Sequence, residues 1–495
     1  MKKSELYSIL WEACNKLRGG VEPARYKDYV LVLLFFKYVS DRYKNQPLAD
    51  FSVPEGASFD DLIAAKWTSD VGERVDKIIQ KFLEANKLQG SLPEVSFNNA
   101  EELGSGKELV DKVSGLIAVF QNPAIDFKYN RASGDDIIGD AYEYFMMKFA
   151  QESGKSKGQF YTPSEVSRTI ARLIGIGEIK QEPNKKWTLY DPACGTFGFM
   201  IAAHRYVKEH TDDFYDLDAD QAKFEREEAF TGCELVHDTH RLALMNAMLH
   251  DIDGQILLAD TLSNQGKALH DFDLVLTNPP FGTKKGGERA TRDDFTFPTS
   301  NKQLNFLQHI YRSLKANGKA RAAVVLPDNV LFADGDGEKI RCDLMDKCAL
   351  HTILRLPTGI FYAQGVKTNV LFFTRGKSDK GNTKEVWFYD LRTNMPSFGK
   401  TTPLKTEHFA DFEKAYEAED RHAVQDERWS VFTREQIAEK GNSLDLGLIR
   451  DDSVLDYDDL PDPVESAEEA AANLEEAVDL LMSVVKELRA LEVQD

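Results

Sequence analysis

The chain has 495 residues, 42% of them hydrophobic and 29% charged, a length and balance that fit two or three globular domains rather than one. A net charge of −21 argues against a chain that grips nucleic acid unaided, because phosphate contacts call for a basic footprint. No apolar stretch with a small-residue cleavage site opens the chain. The richest apolar run, Tyr29 to Val39, is interrupted by Lys37 and too short for a bilayer, so neither secretion nor a membrane span is expected.

Residues 1 to 150 read as a helical domain. Tyr7, Leu10, Trp11, Cys14 and Leu17 recur at three- and four-residue steps. Gly19-Gly20 breaks that helix and Glu22-Pro23 opens the next, with further helical stretches at Val75–Leu83 and Leu109–Phe120 and a loop over Gly90–Gly106. From 151 to 410 short apolar strands alternate with amphipathic helices, the pattern of an α/β, doubly wound sheet. The strands expected are Trp187–Tyr190, Ala229–Cys233, Gln255–Leu258, Leu274–Thr277, Ala320–Leu326, His351–Leu356 and Asn369–Thr374. Helices are expected at Phe199–His210, His237–Leu249 and Asn305–Leu314. Residues 411–495 read as an acidic linker and then a helix, Val464–Leu491, too polar to fold without a partner.

The first chemical signal lies after the first strand, in Asp191-Pro192-Ala193-Cys194-Gly195-Thr196-Phe197-Gly198. A strand, a Gly-containing turn and a helix suit a nucleotide-like ligand. Asp191 at the strand end suits an amine-bearing ligand better than a pyrophosphate, which points to S-adenosylmethionine rather than a dinucleotide. Glu234 at the tip of the second strand is placed to accept from ribose hydroxyls, and Asp260 after the third from an adenine amino group.

The fourth strand ends in Asn278-Pro279-Pro280-Phe281. An exocyclic amine conjugated to a base ring is a poor nucleophile because its lone pair is delocalised. Two acceptors, the Asn278 side-chain oxygen and the Pro279 carbonyl, can draw the nitrogen toward tetrahedral geometry; the diproline fixes the backbone and Phe281 offers a stacking face. A base treated this way must first leave the duplex.

Upstream, Gln159-Phe160-Tyr161-Thr162-Pro163-Ser164-Glu165 reads in part as a capping box, with Thr162 as N-cap. Gln159, Phe160 and Tyr161 are left over as ligand contacts. Downstream, Lys284, Lys285, Arg289 and Arg292 form a local basic patch expected to touch phosphates. His237, His240 and His250 share a helical stretch without a completing ligand pattern, and the five scattered cysteines (Cys14, Cys194, Cys233, Cys342, Cys348) lack metal spacing. A reducing cytoplasm and no metal are the expectation.

These strings, from Gln159 to Lys400, resemble the modification subunits of type I restriction–modification systems, most of all their K-family branch. The resemblance implies a gamma-class, S-adenosylmethionine-dependent methyltransferase acting on adenine N6 in DNA. It implies a cofactor site at Gln159–Ser164, Thr196, Phe197, Gly198 and Glu234, and catalysis at Asn278–Phe281, with Phe361 or Tyr362 helping to hold the flipped base. It also implies partners: a second copy of the subunit, a specificity subunit that reads the DNA, and a motor and nuclease subunit. Val464–Leu491 would dock on the specificity subunit. One departure is Phe197, where the family commonly has Gly or Ala, so weaker cofactor binding is one expectation. Methylation of cytosine N4 or of a protein glutamine, or a silent scaffold role, stay open at this point.

Overall fold

The computed structural model describes residues 3–18, 21–46, 51–127, 141, 144, 162–176, 186–282, 292–361, 367–396, 398 and 402–451. The chain divides into two compact units, Met1–Leu448 and Ile449–Asp495. The helix expected at Val464–Leu491 lies outside the described residues.

Helices Lys3–Leu17, Pro23–Tyr43, Phe59–Ala65, Val71–Ala85 and Lys107–Val119 build the N-terminal part. Pro23–Tyr43 is its centre. Tyr29 to Phe36 are all buried, on every face of the helix, as a helix hydrophobic all round must be. Lys37, the one interruption, pairs with Asp41 at 2.6 Å. The loop expected at Gly90–Gly106 contains one short helix, Ala100–Leu103, capped by Asn99.

The α/β part is a nine-stranded sheet in the order β3-β2-β1-β4-β5-β7-β6-β8-β9. Its strands are β1 Leu189–Asp191, β2 Phe230–Glu234, β3 Gln255–Leu258, β4 Leu274–Thr277, β5 Arg321–Pro327, β6 Cys348–Arg355, β7 Thr368–Arg375, β8 Glu385–Asp390 and β9 Trp429–Thr433. The first five run parallel, and β7 is antiparallel to both β5 and β6. Apolar side chains cover both faces of β4 and β5, as a central parallel strand requires. The order turns back on itself between β1 and β4, and the crevice outside the strand ends at such a point is where doubly wound sheets take ligands.

Two sequence expectations need correction here. The sheet does not stop at residue 410. β8 pairs with β6, β9 pairs antiparallel with β8, and helix Ala410–Tyr416 buries Phe412 and Ala415. The charged composition after Asp411 hides an edge strand with one dry side, where Trp429 stacks on Trp387 at 5.0 Å. Nor is Thr162 an N-cap: helix Ser164–Leu173 starts after Pro163 and has no side-chain cap bond.

Candidate active site

The turn after β1 is pinned residue by residue from different elements. Asp191 Oδ1 accepts from Ala193 N at 3.1 Å, and Thr261 Oγ1 donates to Pro192 O at 2.6 Å. Cys194 N donates to Cys233 O at 3.0 Å, and Gly195 N to Glu234 Oε2 at 3.1 Å. Asn246 Nδ2, from helix His237–Leu249, donates to Thr196 O at 2.9 Å. Thr261 and Asn246 were not singled out from the sequence. The only signal they offer there is a polar residue set among apolar neighbours, and both are buried.

The turn leaves backbone open where a ligand would need it. A Cβ built on Gly195 or Gly198 meets nothing within 4 Å among the described residues, whereas at Gly232 it would meet the Phe197 ring at 2.8 Å and Cys194 Sγ at 3.0 Å. Phe197 explains the difference. It caps helix Gly198–His210 in the left-handed region, φ 70, and its fully buried ring packs down onto β2. The bulky side chain thus points into the core, away from the open side of the turn.

Two carboxyls face this turn. Burial raises Asp191 to about 7, and raises Glu234 as well, while backbone N–H bonds from Val236 and Gly195 oppose the shift at Glu234. Glu234 Oε1 accepts from Val236 N at 2.7 Å. Each Glu234 oxygen then has one backbone donor and a further lone pair for ribose-type hydroxyls. Beside it Leu235 is 64% exposed, an apolar face that sequence reasoning passed over. Asp260 Oδ1 accepts from Leu262 N at 2.9 Å at the tip of β3.

Asn278 stands one residue beyond β4, next to β1. Its Nδ2 donates to Thr162 Oγ1 at 3.0 Å, while its Oδ1 is buried without a partner among the described residues. An unpaired buried acceptor costs about 1–3 kcal/mol, so this atom is set for a donor that the described residues do not supply. Pro279 is buried, and Pro280 and Phe281 are half-buried beside it. Ser164 is buried at the start of its helix. Gln159, Phe160, Tyr161 and Tyr362 lie outside the described residues. Phe361 is buried in the apolar core below the sheet, among residues such as Leu356 and Ile360.

The basic patch also needs correction. Lys284, Lys285 and Arg289 lie outside the described residues, but Arg292 is 3% exposed. Its Nε donates to Asp294 Oδ1 at 2.8 Å, and its Nη1 donates to Thr261 O and to His309 Nδ1, both at 2.9 Å. His309 Nε2 then carries the ring proton toward the Tyr190 hydroxyl at 3.0 Å. Burial, aided by Arg292, drives His309 down to about 3 and keeps it neutral. Arg292 serves the interior, because a carboxylate two residues away neutralises it. His240 Nε2 likewise faces a backbone carbonyl, Ile256 O, at 2.9 Å.

Sheet order, the pinned turn and the Asn278 strand end together define a methyltransferase of the N-6 DNA methylase type, and that family's profile matches residues 133–453. The HsdM N-terminal domain matches residues 6–120. The chain belongs to the N-6 DNA methylases, in the group formed by the methylase subunits of type I restriction enzymes. The EcoKI methylase subunit of Escherichia coli (strain K12) is 41% identical to it over 542 residues, covering 100% of this chain and 97% of the relative. The StySPI methylase subunit of Salmonella potsdam is 41% identical over 537 residues, covering 99% and 96%. The crystal structure of the EcoKI M protein superposes with a TM-score of 0.54 at 37% identity, covering 98% of this chain and 96% of that one. A type I methyltransferase subunit from Streptococcus thermophilus shares the fold, with a TM-score of 0.69 at 23% identity over 90% and 98% of the two chains. This membership disfavours the cytosine, protein-glutamine and scaffold readings. Among the described residues no helix is long and apolar enough to cross a membrane.

Proposed function

We propose that this chain binds S-adenosylmethionine in the crevice between β1 and β4 and methylates the N6 amine of an adenine flipped out of DNA, with Asn278 at the centre of the chemistry. The observation that carries this is the divided state of the Asn278 amide, its Nδ2 held by Thr162 and its Oδ1 buried and, among the described residues, unpartnered.

The open backbone at Gly195 and Gly198, the apolar Leu235 and the acceptors Glu234 and Asp260 fit the cofactor's methionine, adenine and ribose parts. Asp191, deprotonated, would favour its ammonium group, with the backbone of Thr196, Phe197 and Gly198 and the Gln159–Ser164 segment completing the site. The bound cofactor supplies an electrophilic methyl group. The protein's part is to accept hydrogen bonds from both N6–H groups, one at Asn278 Oδ1 and one at the Pro279 carbonyl, so that the nitrogen lone pair is freed from the ring and aimed at the methyl carbon as its bond to sulfur breaks. Two neutral acceptors suffice, because the amine loses its proton to solvent once its charge has developed. Phe281 would stack on the extruded base, whose unpairing costs a few kcal/mol.

DNA grip and choice of sequence would fall to a specificity subunit, with a second copy of this chain and a motor and nuclease subunit in the full assembly, in the cytoplasm. The charge distribution supports this division: residues 451–495 carry 15 acidic and 2 basic residues, which suits docking on a basic partner better than contact with phosphate. The organisation proposed is a helical domain at 1–150, a catalytic domain from 151 and an acidic docking tail.

The test is transfer of labelled methyl from S-adenosylmethionine to unmodified DNA by the assembled complex, followed by nucleoside analysis. Label in N6-methyladenosine that disappears with Asn278→Ala is the expected result. Label in cytosine or protein, or none from the wild-type complex, overturns the reading.

A further inference from the structure

Helix Lys302–Ser313 turns an unusual side toward the protein interior. Gln303, Asn305, Gln308 and His309 are all buried, and each buried amide or ring must find partners. Three of them find those partners in the neighbouring irregular chain. Asn305 closes a two-bond ring on Thr299, its Oδ1 accepting from Thr299 N at 3.2 Å and its Nδ2 donating to Thr299 O at 2.7 Å. Gln308 does the same for Phe297, at 3.0 and 2.8 Å. His309 meets Arg292.

Gln303 alone reaches the catalytic strand end. Its Oε1 accepts from Gly282 N at 2.9 Å, and the adjacent Lys302 N donates to Gly282 O at 2.9 Å. Gly282 follows Phe281 directly and sits at φ 111, a conformation that side chains rarely adopt. Both of its backbone polar groups are therefore held by two consecutive residues of one helix. The helix start is fixed in turn by Asn301, whose Oδ1 accepts from Leu304 N at 3.1 Å. The Nε2 of Gln303 reaches Asn329 Oδ1 at 3.5 Å, just beyond β5, so the amide spans from the end of β5 to the exit of the Asn278 motif.

We infer that Gln303 is a positioning residue for methyl transfer: by fixing Gly282 it sets the direction of the Pro279–Phe281 backbone, and with it the Pro279 carbonyl and the Phe281 ring. β4 and the Thr162 bond hold the start of the motif, and Lys302 N and Gln303 Oε1 hold Gly282 at its exit. A chain of two prolines is stiff but pivots as a body; with Gln303 gone, Gly282 would turn on the single Lys302 bond, and a displacement of about 1 Å at the carbonyl is enough to cost roughly 100-fold in rate. The assignment rests on the proposed methyltransferase reading of the site.

The test compares Gln303→Leu and Gln303→Glu with wild type in the full-length chain within its assembled complex. Single-turnover transfer of labelled methyl to unmodified DNA is read beside cofactor affinity by equilibrium dialysis. Leucine matches the size but cannot accept, whereas glutamate keeps the acceptor facing Gly282 N. The expected result is a rate about 100-fold lower for Gln303→Leu, a rate within about fivefold of wild type for Gln303→Glu, and cofactor affinity unchanged within twofold in both. Should the leucine variant melt early, Gln303→Met, of similar length and likewise unable to accept from Gly282 N, takes its place, with the same loss expected and a wild-type rate overturning the inference. Equal loss in both variants, a wild-type rate in Gln303→Leu, or a loss confined to cofactor affinity overturns it. Absence of transfer by the wild-type complex would instead refute the methyltransferase reading.

Discussion

Thr162 precedes Asn278 by 116 residues, yet its hydroxyl is the group that accepts the Asn278 Nδ2 proton, at 3.0 Å. An amide has two nearly isosteric ends, and a catalytic amide is useful only with its oxygen toward the incoming amine. In the structure the Thr162 hydroxyl holds the nitrogen end, which leaves the oxygen to face the other way. Thr162→Val keeps the shape and removes the acceptor, and a methyl-transfer rate about 10- to 100-fold lower is expected. Thr162→Ser should stay within a few-fold of wild type. Single-turnover kinetics check both, and a wild-type rate in the valine variant would remove Thr162 from this role.

Phe197 and Gly232 are complementary in volume. A Cβ on Gly232 would stand 2.8 Å from the Phe197 ring, so Gly232→Ala is expected to destabilise the protein by about 1–3 kcal/mol through overpacking. Phe197→Ala, which empties a core site, should cost about 3–5 kcal/mol. Because the ring lies in the core, Phe197→Gly should leave the cofactor dissociation constant within a few-fold. Thermal melting and calorimetric titration separate the two effects; a large change in cofactor affinity would place the ring in the binding crevice after all.

Burial holds Asp191 at about 7, so near neutrality this carboxyl is divided between its two forms. A cationic ligand favours the carboxylate. Cofactor affinity is therefore expected to be level above pH 8 and to fall about tenfold per pH unit below 7. Asp191→Asn should bind weakly and without that slope. Titration calorimetry from pH 5.5 to 8.5 checks the shape, and an equally steep profile in the Asn variant would assign the proton elsewhere.

Glu225 is fully buried on helix Ala219–Glu227, and its Oε2 has no partner among the described residues; burial raises it from 4.5 to about 7. Its folded pKa exceeds the unfolded one, so its neutral form is the one the fold accommodates. The contribution to stability is intact below about pH 4.5 and is lost as pH rises through 7. Glu225→Gln mimics the neutral form. It should match wild type at pH 5 and exceed it at pH 8, by on the order of 3 kcal/mol at most. Melting curves across that range decide, and equal stabilities at pH 8 would mean that a counter-charge reaches the carboxylate.

The central strands could be read in the sequence because burial on both faces writes an unbroken apolar run. Gln255–Leu258 and Leu274–Thr277 have the expected ends, as does helix His237–Leu249. Asn278 could be singled out for a chemical reason, since Asn-Pro-Pro at a strand tip has few structural uses. What stayed hidden was pairing at a distance. No local pattern says that Thr162 turns to Asn278 rather than capping its own helix, or that Gln303 turns back 21 residues to Gly282. Arg292 misled for the opposite reason: its neutralising partner Asp294 is only two residues away, and a charge count over the loop misses the pair. β9 escaped notice because an edge strand with one wet side reads as polar chain.

Helix His237–Leu249 belongs to two cores at once. Ala243 and Ala247 pack with the sheet, Leu242 and Met245 are part of the N-terminal helical core, and Arg241 reaches Glu94 across the junction. The same helix sends Asn246 to the turn after β1. The N-terminal helices are thus a wall of the catalytic half rather than a neighbour to it. Cutting the chain between them would bare Leu242 and Met245 to water and loosen Thr196 in one stroke. The two halves should melt together in a single transition, and a change chosen to suit one core must be tolerated by the other.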